Sequence, residues 1–190
     1  MRGLNTADYW DKEHISTGRE SKFNMDFFNI TRHMGGRVLD IGVGMSKNFM
    51  VLVSTYKCEF HALDLSQVAV DFWKSHGVKA VKFDVKENSK LPYPDNYFDF
   101  VMTKSFLEHI SKEDNYYLAK EIKRILKPMG GFMVMCASDF FQGGPFPREH
   151  IYPTEQGGVP VSDLMDMYKD FRLMNYNYIN GEHYAVFRWG

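Results

Sequence analysis

The stretch VLDIGVGMSKN, residues 38–48, constrains the fold of this chain more than any other segment. An apolar run of strand type leads directly into a loop that contains two glycines, and a helical pattern follows. A strand that passes through a glycine-rich turn into a helix is the opening unit of nucleotide-binding α/β sheets. Gly42 and Gly44 let a ligand approach the backbone closely, because a Cβ atom there would intrude.

Short apolar runs and amphipathic stretches alternate along the chain. The runs predict strands at residues 37–42, 59–65, 78–83, 98–103 and 130–136. The stretches between them predict helices at residues 46–56, 66–76 and 111–128. Each helix begins at a serine suited to capping, and Pro128 is expected to end the last one. Alternating strands and helices indicate a doubly wound, mostly parallel sheet with helices on both faces, the Rossmann-like α/β class.

The C-terminal segment departs from this alternation. Two strand-like runs, FRLMNYNYIN (171–180) and EHYAVFRW (182–189), follow each other closely. The pair Asn180-Gly181 between them is a strong hairpin signal. We therefore predict a seven-stranded sheet whose last strand is antiparallel, an ending that a plain dinucleotide-binding sheet does not need.

Composition excludes several classes of protein. The 190 residues fit one domain, and no interior stretch has the composition of a linker. A net charge of -1 argues against a nucleic-acid or membrane partner. Cys58 and Cys136 lack metal-ligand spacing, so we predict no metal site and a reducing, cytoplasmic setting. The N-terminus has no apolar core of signal-peptide length, and no apolar segment approaches the length of a membrane span. We expect a monomer or a homodimer.

Three acidic residues near strand ends indicate what the glycine loop holds. Asp64 follows the second strand, where a carboxylate is placed to bind both hydroxyls of a ribose. Asp40 lies within the first strand, where a carboxylate suits a cationic amino group. Asp84 follows the third strand, where a side-chain oxygen suits an adenine amino group. Two glycines and one acid do not separate NAD from other adenosine ligands.

Five segments together resemble a known family. VLDIGVGMS, ALDLS, KFDV, LPYPDNYFDFVMTKSFLEHI and ILKPMGGFMVM run in the order found in class I S-adenosylmethionine-dependent methyltransferases of the small methyltransferase-domain type. They extend over roughly residues 37–137. The C-terminal strand pair is similar to the family's reversed seventh strand.

The resemblance implies cofactor contacts at the first two strands. Asp40, Gly42 and Gly44 would line the methionine part of S-adenosylmethionine. Asp64 would bind the ribose, and Leu65 would pack near the adenine.

It also implies contacts further along the chain. Asp84 and Val85 would hold the adenine edge, Val85 through its backbone amide. Lys104 and Ser105 follow the fourth strand, where the family contacts the cofactor mainly through main-chain atoms. The product left in this site after transfer would be S-adenosylhomocysteine.

Ser46 stands where a dinucleotide fingerprint has its third glycine. That glycine serves close packing beside a pyrophosphate, which S-adenosylmethionine lacks. Ser46 can instead cap the following helix and present its hydroxyl to the methionine carboxylate. It therefore counts against an NAD-dependent oxidoreductase, as does Asp40.

The resemblance also predicts how the chain is organised. We expect a single methyltransferase domain with a cap segment (1–36), a cofactor-binding core (37–137) and a C-terminal acceptor-binding part (138–190). In the cap segment, Tyr9 and Trp10 are similar to the aromatic residues that fold over the bound cofactor in this family.

The acceptor attacks an electrophilic methyl group in line, so the protein mainly holds donor and acceptor together in a dry site. Where a base is needed, His150 is the preferred candidate, because it lies in the long loop 139–158 that we assign to acceptor binding. An ordinary loop histidine is the alternative interpretation. Asp139, Tyr152 and His14 are further candidates, whereas His109 is interpreted as structural.

The sequence says least about the acceptor. After the fourth strand the chain has TKSF, where enzymes that methylate amino groups of DNA bases have an Asn/Asp-Pro-Pro-aromatic tetrad. It also lacks the Pro-Cys nucleophile used in methylation of cytosine C5. We predict methyl transfer to an oxygen or nitrogen atom of a small molecule, with a protein or peptide acceptor second. A non-catalytic, methyltransferase-like binding subunit remains the alternative, because the family has no invariant catalytic residue.

Overall fold

The computed structural model describes residues 5–17, 20–21, 34–86, 88–139, 151–154 and 157–190. The strands are β1 (Glu20–Ser21), β2 (Arg37–Ile41), β3 (Met45–Ser46), β4 (Glu59–Asp64), β5 (Lys79–Lys82), β6 (Phe98–Lys104), β7 (Leu126–Ala137), β8 (Arg172–Ile179) and β9 (Glu182–Arg188). The helices are α1 (Ala7–Thr17), α2 (Lys47–Thr55), α3 (Gln67–Ser75), α4 (Lys112–Ile125) and α5 (Val161–Met167). A 3-10 turn, Leu107–His109, precedes α4.

The main sheet has the order β5-β4-β2-β6-β7-β9-β8. Its strands are parallel except β9, which is antiparallel to both β7 and β8. Strand order reverses between β2 and β6, so the connections after these strands leave in opposite directions and open a crevice there. The predicted fold class, including the reversed last strand, is confirmed.

Local sequence sets the beginnings of the helices. Ser46, Ser66 and Ser111 cap α2, α3 and α4, and each hydroxyl accepts a hydrogen bond from an amide three residues later. Because each cap satisfies an otherwise unpaired amide, the helix begins at the residue that follows it. The predicted starting points are confirmed.

The end of α4 differs from the prediction. The helix ends at Ile125, and the extended residue Leu126 already pairs with Phe98 of β6. Proline disfavours helical geometry at the residue before it, so the helix ends upstream of Pro128 rather than at it. Pairing with β6 resumes at Gly131 after an irregularity.

Alternation along the strands produces two cores, one on each face of the sheet. In β2, Leu39 and Ile41 pack on the face that also buries residues of α4 and α5, while Val38 packs on the face covered by α2 and α3. Both faces are therefore apolar, as parallel strands require. The hairpin joins β8 to β9 through Asn180 and Gly181, both with positive φ (52° and 83°). Such a turn matches the predicted Asn-Gly signal.

Among the helices described above, none combines the length and the apolar character that crossing a membrane requires.

Candidate functional site

A cavity of about 1020 Å³ lies at the carboxyl ends of β2, β4, β5 and β6. Ten of the eleven residues predicted to contact a cofactor line it. They are Asp40, Gly42, Gly44, Ser46, Asp64, Leu65, Asp84, Val85, Lys104 and Ser105. Tyr9 is not among the lining residues. The loops that follow four strands thus converge on one site, as expected at a topological switch point.

The glycine loop between β2 and α2 is held on two sides. The Gly44 amide donates to Oδ2 of Asp64 (2.7 Å), and the Gly44 carbonyl accepts from the indole Nε1 of Trp73 (2.7 Å). Gly42 has a φ of +73°, and an added Cβ atom would lie 2.2 Å from Cδ2 of Phe106. Glycine is therefore required at position 42 both by backbone geometry and by space.

Asp64 acts as the clamp of this loop. Its second oxygen, Oδ1, accepts from the Ser66 amide (2.8 Å), so both carboxylate oxygens hold backbone amides. Burial raises the pKa of Asp64, and the two amide hydrogen bonds oppose that rise. Each oxygen retains a lone pair, so the carboxylate can still accept from a ligand hydroxyl.

Asp40 is a buried carboxylate with an unsatisfied atom. It is 2 % exposed, and within the described part of the chain its Oδ1 makes no hydrogen bond. Burial raises the pKa of Asp40 well above its ordinary value, while Lys104 acts in the opposite direction. A buried acceptor without a partner costs free energy, and a donor from a ligand would recover it.

Lys104 and Ser105 lie at the end of β6, across the crevice from the glycine loop. Burial lowers the pKa of Lys104, although the carboxylates of Glu182, Asp40 and Glu108 oppose this shift. Ser105 has a φ of +50°, and its amide donates to the carbonyl of Met135 (2.8 Å). A serine in this conformation is uncommon, and the bond to Met135 helps to hold it.

The predicted adenine-side residues form the opposite end of the cavity. Val85 is buried in the core on one face of the sheet, whereas Asp84 is exposed and forms an ion pair with Lys86. Ser46 is buried, and its hydroxyl accepts from the Phe49 amide (3.2 Å) as the cap of α2. Its predicted capping role is confirmed, and its hydroxyl proton remains available to a ligand.

Helix α1 covers the cavity from the N-terminal side. Asp11 accepts from the Ser66 hydroxyl (2.6 Å) and the Val68 amide (3.2 Å), which docks α1 on the beginning of α3. Trp10 and His14 line the cavity, whereas Tyr9 packs edge-on against Trp10 with ring centroids 5.1 Å apart. Of the two aromatic residues predicted for this segment, the structure brings Trp10 to the cavity and leaves Tyr9 outside the lining.

The candidate bases fall in different places. His150, the preferred candidate, lies outside the described residues. His14 lines the cavity beside the glycine loop, with its Cε1 3.5 Å from the position of a Cβ on Gly44. Tyr152 is buried and donates its hydroxyl to Asp163 (2.8 Å), away from the lining, and Asp139 is not among the lining residues.

Four residues at or beside the site carried no functional signal in the sequence. Trp73 and Phe106 were indistinguishable from core aromatics, and His109, interpreted as structural, lines the cavity edge-on to Trp10 (5.1 Å between centroids). Glu108 is 2 % exposed, and burial raises its pKa to about 7. A glutamate next to a histidine in LEHI gives no hint of burial, because only tertiary packing decides it.

Three features define the class of protein to which this fold belongs. They are a mostly parallel sheet with a reversed strand, a glycine loop after the first long strand, and a carboxylate after the next strand. This is the Rossmann-like class I methyltransferase fold. Residues 39–134, half of the chain, match the Methyltransferase domain family. The chain therefore belongs to this family of S-adenosylmethionine-dependent methyltransferases, and its cofactor is S-adenosylmethionine.

Named relatives extend the comparison. The chain is 30% identical over 103 residues to Phosphoethanolamine N-methyltransferase 3 of Arabidopsis thaliana, covering 53% of this chain and 21% of the relative. It is 24% identical over 160 residues to Phosphoethanolamine N-methyltransferase of Plasmodium falciparum, covering 82% and 60%. The chain thus spans between a fifth and three fifths of the length of these two relatives.

A solved S-adenosylmethionine-dependent methyltransferase from Methanosarcina mazei superposes with a TM-score of 0.66 at 16% identity. The alignment covers 85% of this chain and 96% of the other. At this identity the likeness shows the fold alone.

Proposed function

We propose that this chain transfers the methyl group of S-adenosylmethionine to a nitrogen or oxygen atom of a small-molecule acceptor. The observation that carries the proposal is the shared cavity, which joins the glycine loop, Asp40 and Asp64 to a second region lined by Trp10 and His109. Its volume of about 1020 Å³ lies just above the range typical of ligand sites, about 300–1,000 Å³.

The cavity residues fit S-adenosylmethionine. The unsatisfied Oδ1 of Asp40 suits the methionine ammonium, and the glycine loop forms a cradle that a Cβ on Gly42 would fill. The free lone pairs of Asp64 suit the ribose hydroxyls, and Ser46 can donate to the methionine carboxylate. The adenine would lie among Leu65, Asp84 and Val85 at the far end.

Bound S-adenosylmethionine supplies an electrophilic methyl group on a sulfonium. The residues of this chain position the reactants and keep water out. Asp64 and Trp73 fix the glycine loop, so the cofactor meets a rigid surface rather than one that must be ordered on binding. Trp10 and His14 of α1 cover the site and limit the access of solvent.

The names of two relatives and the net charge of the chain favour a small-molecule acceptor. The plant relative and the parasite relative are both named for N-methylation of phosphoethanolamine, a small molecule. The near-neutral net charge gives no footprint for a nucleic acid. A protein or peptide acceptor stays second.

Calorimetric titration of the purified protein with S-adenosylmethionine, S-adenosylhomocysteine and NAD tests the cofactor assignment. We expect the first two to bind and NAD not to bind. Release of S-adenosylhomocysteine in the presence of a library of small amines and alcohols then tests transfer. Cofactor binding without transfer to any acceptor would support a non-catalytic binding subunit, and binding of NAD alone would refute the proposal.

A further inference from the structure

The beginning of α3 is joined to two distant parts of the chain through Ser66. The Ser66 amide donates to Oδ1 of Asp64 (2.8 Å), the carboxylate that also holds the glycine loop. The Ser66 hydroxyl donates to Oδ1 of Asp11 in α1 (2.6 Å). Ser66 itself is buried, so water does not compete for these bonds. One serine therefore connects the carboxylate assigned to the ribose with the helix that covers the cavity.

Asp11 completes the capping of α3 from outside that helix. The first amides of a helix have no partner within it. Ser66 accepts from the Ala69 amide (3.2 Å), and Oδ1 of Asp11 accepts from the Val68 amide (3.2 Å). A negative charge at this end of a helix is also favoured by the helix dipole. Asp11 is therefore bound to α3 by hydrogen bonds from Ser66 and Val68 that meet on a single carboxylate oxygen.

The charge of Asp11 strengthens this attachment. Burial acts to raise the pKa of Asp11, but the hydrogen bonds from Ser66 and Val68 and the charge of Lys82 together outweigh burial and lower it. The carboxyl group is therefore ionised near neutral pH, and hydrogen bonds to an ionised group are shorter and stronger than those between neutral groups. Helix α1 is thus anchored to α3 by a charged contact rather than by apolar packing alone.

The position of α1 decides what faces the cavity. Trp10 and His14, on either side of Asp11 in the sequence, line the cavity, whereas Asp11 is not among the described lining residues. Cε1 of His14 lies 3.5 Å from the position of a Cβ on Gly44, and Trp10 stands edge-on to His109 after β6. The helix therefore reaches from the glycine loop to the other side of the crevice, across the region assigned to the cofactor.

We propose that Asp11 is a positioning residue: through Ser66 it holds α1 across the cavity and thereby slows the release of S-adenosylmethionine and of S-adenosylhomocysteine. This inference rests on the proposed methyltransferase function and adds to it a residue outside the cavity lining. Since Ser66 binds Asp11 and Asp64 at once, closure by α1 and binding of the ribose depend on the same three residues. A ligand that Asp64 holds and α1 covers in turn favours the docked helix.

Loss of this contact should loosen the cover without removing any group that lines the cavity. Asp11→Ala deletes the oxygen that accepts from Ser66 and Val68, so α1 spends part of its time undocked. Affinity falls in proportion to the docked fraction, and we expect the dissociation constant of S-adenosylhomocysteine to rise about tenfold. Most of the change should lie in a faster dissociation rate, because an undocked helix no longer covers the ligand.

Two matched variants separate the hydrogen bonds from other effects of the substitution. Asp11→Asn keeps an oxygen at the position of Oδ1, so both bonds can form without the charge. Its dissociation rate should lie between those of wild type and Asp11→Ala. Asp8→Ala is the control, because Asp8 is an exposed acid in the first turn of the same helix, and it should leave the dissociation rate unchanged.

Two measurements on the purified protein test the proposal. Surface plasmon resonance gives the association and dissociation rates of S-adenosylhomocysteine for each variant. Hydrogen–deuterium exchange without ligand reports how firmly α1, Ala7–Thr17, is held. In Asp11→Ala we expect faster exchange in α1 and unchanged exchange in β6, a pattern that a general loss of stability would not produce. Saturating S-adenosylhomocysteine should slow the exchange of α1 in this variant back toward the wild-type rate, as reciprocity requires.

Several results would overturn the positioning role. They are unchanged exchange of α1 in Asp11→Ala, faster exchange of α1 with an unchanged dissociation rate, equal acceleration of exchange in α1 and β6, and an equal rise of the dissociation rate in Asp8→Ala. Failure of S-adenosylhomocysteine to bind the wild-type protein would instead refute the cofactor site itself, and the inference with it.

Discussion

Replacing Asp64 with asparagine tests whether one carboxylate both fixes the glycine loop and serves the cofactor. Its two oxygens accept from the amides of Gly44 (2.7 Å) and Ser66 (2.8 Å). Asparagine has the same shape but only one acceptor oxygen, so one of these amides would face an NH₂ group. If the Gly44 bond is lost, the glycine loop loses its attachment to the end of β4. If the Ser66 bond is lost, the first turn of α3 loses its support.

The size of the effect follows from the two bonds. A hydrogen bond to a charged group contributes about 2 kcal/mol, and a neutral one about 1 kcal/mol. The variant replaces two hydrogen bonds to a charged carboxylate, together about 4 kcal/mol, with one neutral hydrogen bond of about 1 kcal/mol. Burial raises the pKa of Asp64, so relief of that desolvation returns part of the loss. We expect the free energy of unfolding to fall by about 2 kcal/mol.

Urea denaturation without ligand measures this stability, and calorimetry with S-adenosylhomocysteine measures the affinity, which should fall by about tenfold or more. Asp84→Asn is the matched control for stability, because Asp84 lines the same cavity but forms an exposed ion pair with Lys86. Such a pair contributes about 0–1 kcal/mol. If both variants lose the same stability, or if Asp64→Asn keeps full affinity, the clamp and ribose assignments are wrong.

Three further changes have defined outcomes. Gly42→Ala should destabilise the fold by about 1–3 kcal/mol and weaken binding of S-adenosylhomocysteine, because φ is +73° and the new Cβ would displace Phe106; unchanged denaturation and affinity would contradict this. Trp73→Phe removes the donor to the Gly44 carbonyl and should cost about 1–2 kcal/mol in urea denaturation; an effect on stability without any loss of S-adenosylhomocysteine affinity would show that this bond does not organise the loop. Burial raises the pKa of Glu108 from 4.5 to about 7, so the native state favours its protonated form, and the stability that this contributes is complete below pH 4.5 and is lost as pH rises through 7. As pH rises from 4.5 to 7, the free energy of unfolding of the wild type should therefore fall by about 3 kcal/mol relative to that of Glu108→Gln. Parallel profiles of unfolding free energy against pH for the two proteins would refute this.

Local interactions explain why much of the fold was predictable. A serine that caps a helix acts on an amide three residues away, and Asn180-Gly181 sets the turn between its own two strands. Such contacts depend on neighbouring residues and are visible in a short stretch of sequence. The end of α4 was missed because proline acts one residue upstream of itself, on Lys127, and pairing with β6 begins even earlier.

The cofactor half of the site was also accessible from sequence. Asp40, Asp64 and Asp84 lie within or directly after parallel strands, and the carboxyl ends of such strands meet at one edge of the sheet. The order of the motifs along the chain is therefore sufficient to place these residues together.

The rest of the site depended on contacts between distant parts of the chain. Lys104 and Glu182 are far apart in sequence and interact because β9 inserts beside β7 in reverse. Trp10 rather than Tyr9 lines the cavity, because the docking of α1 through Asp11 decides which face of the helix points inward. Sequence by itself determined the strands, the caps and the carboxylates that belong to single segments. Only the tertiary structure decided which buried charges meet, because strand order and helix docking are set by the packing of the whole sheet.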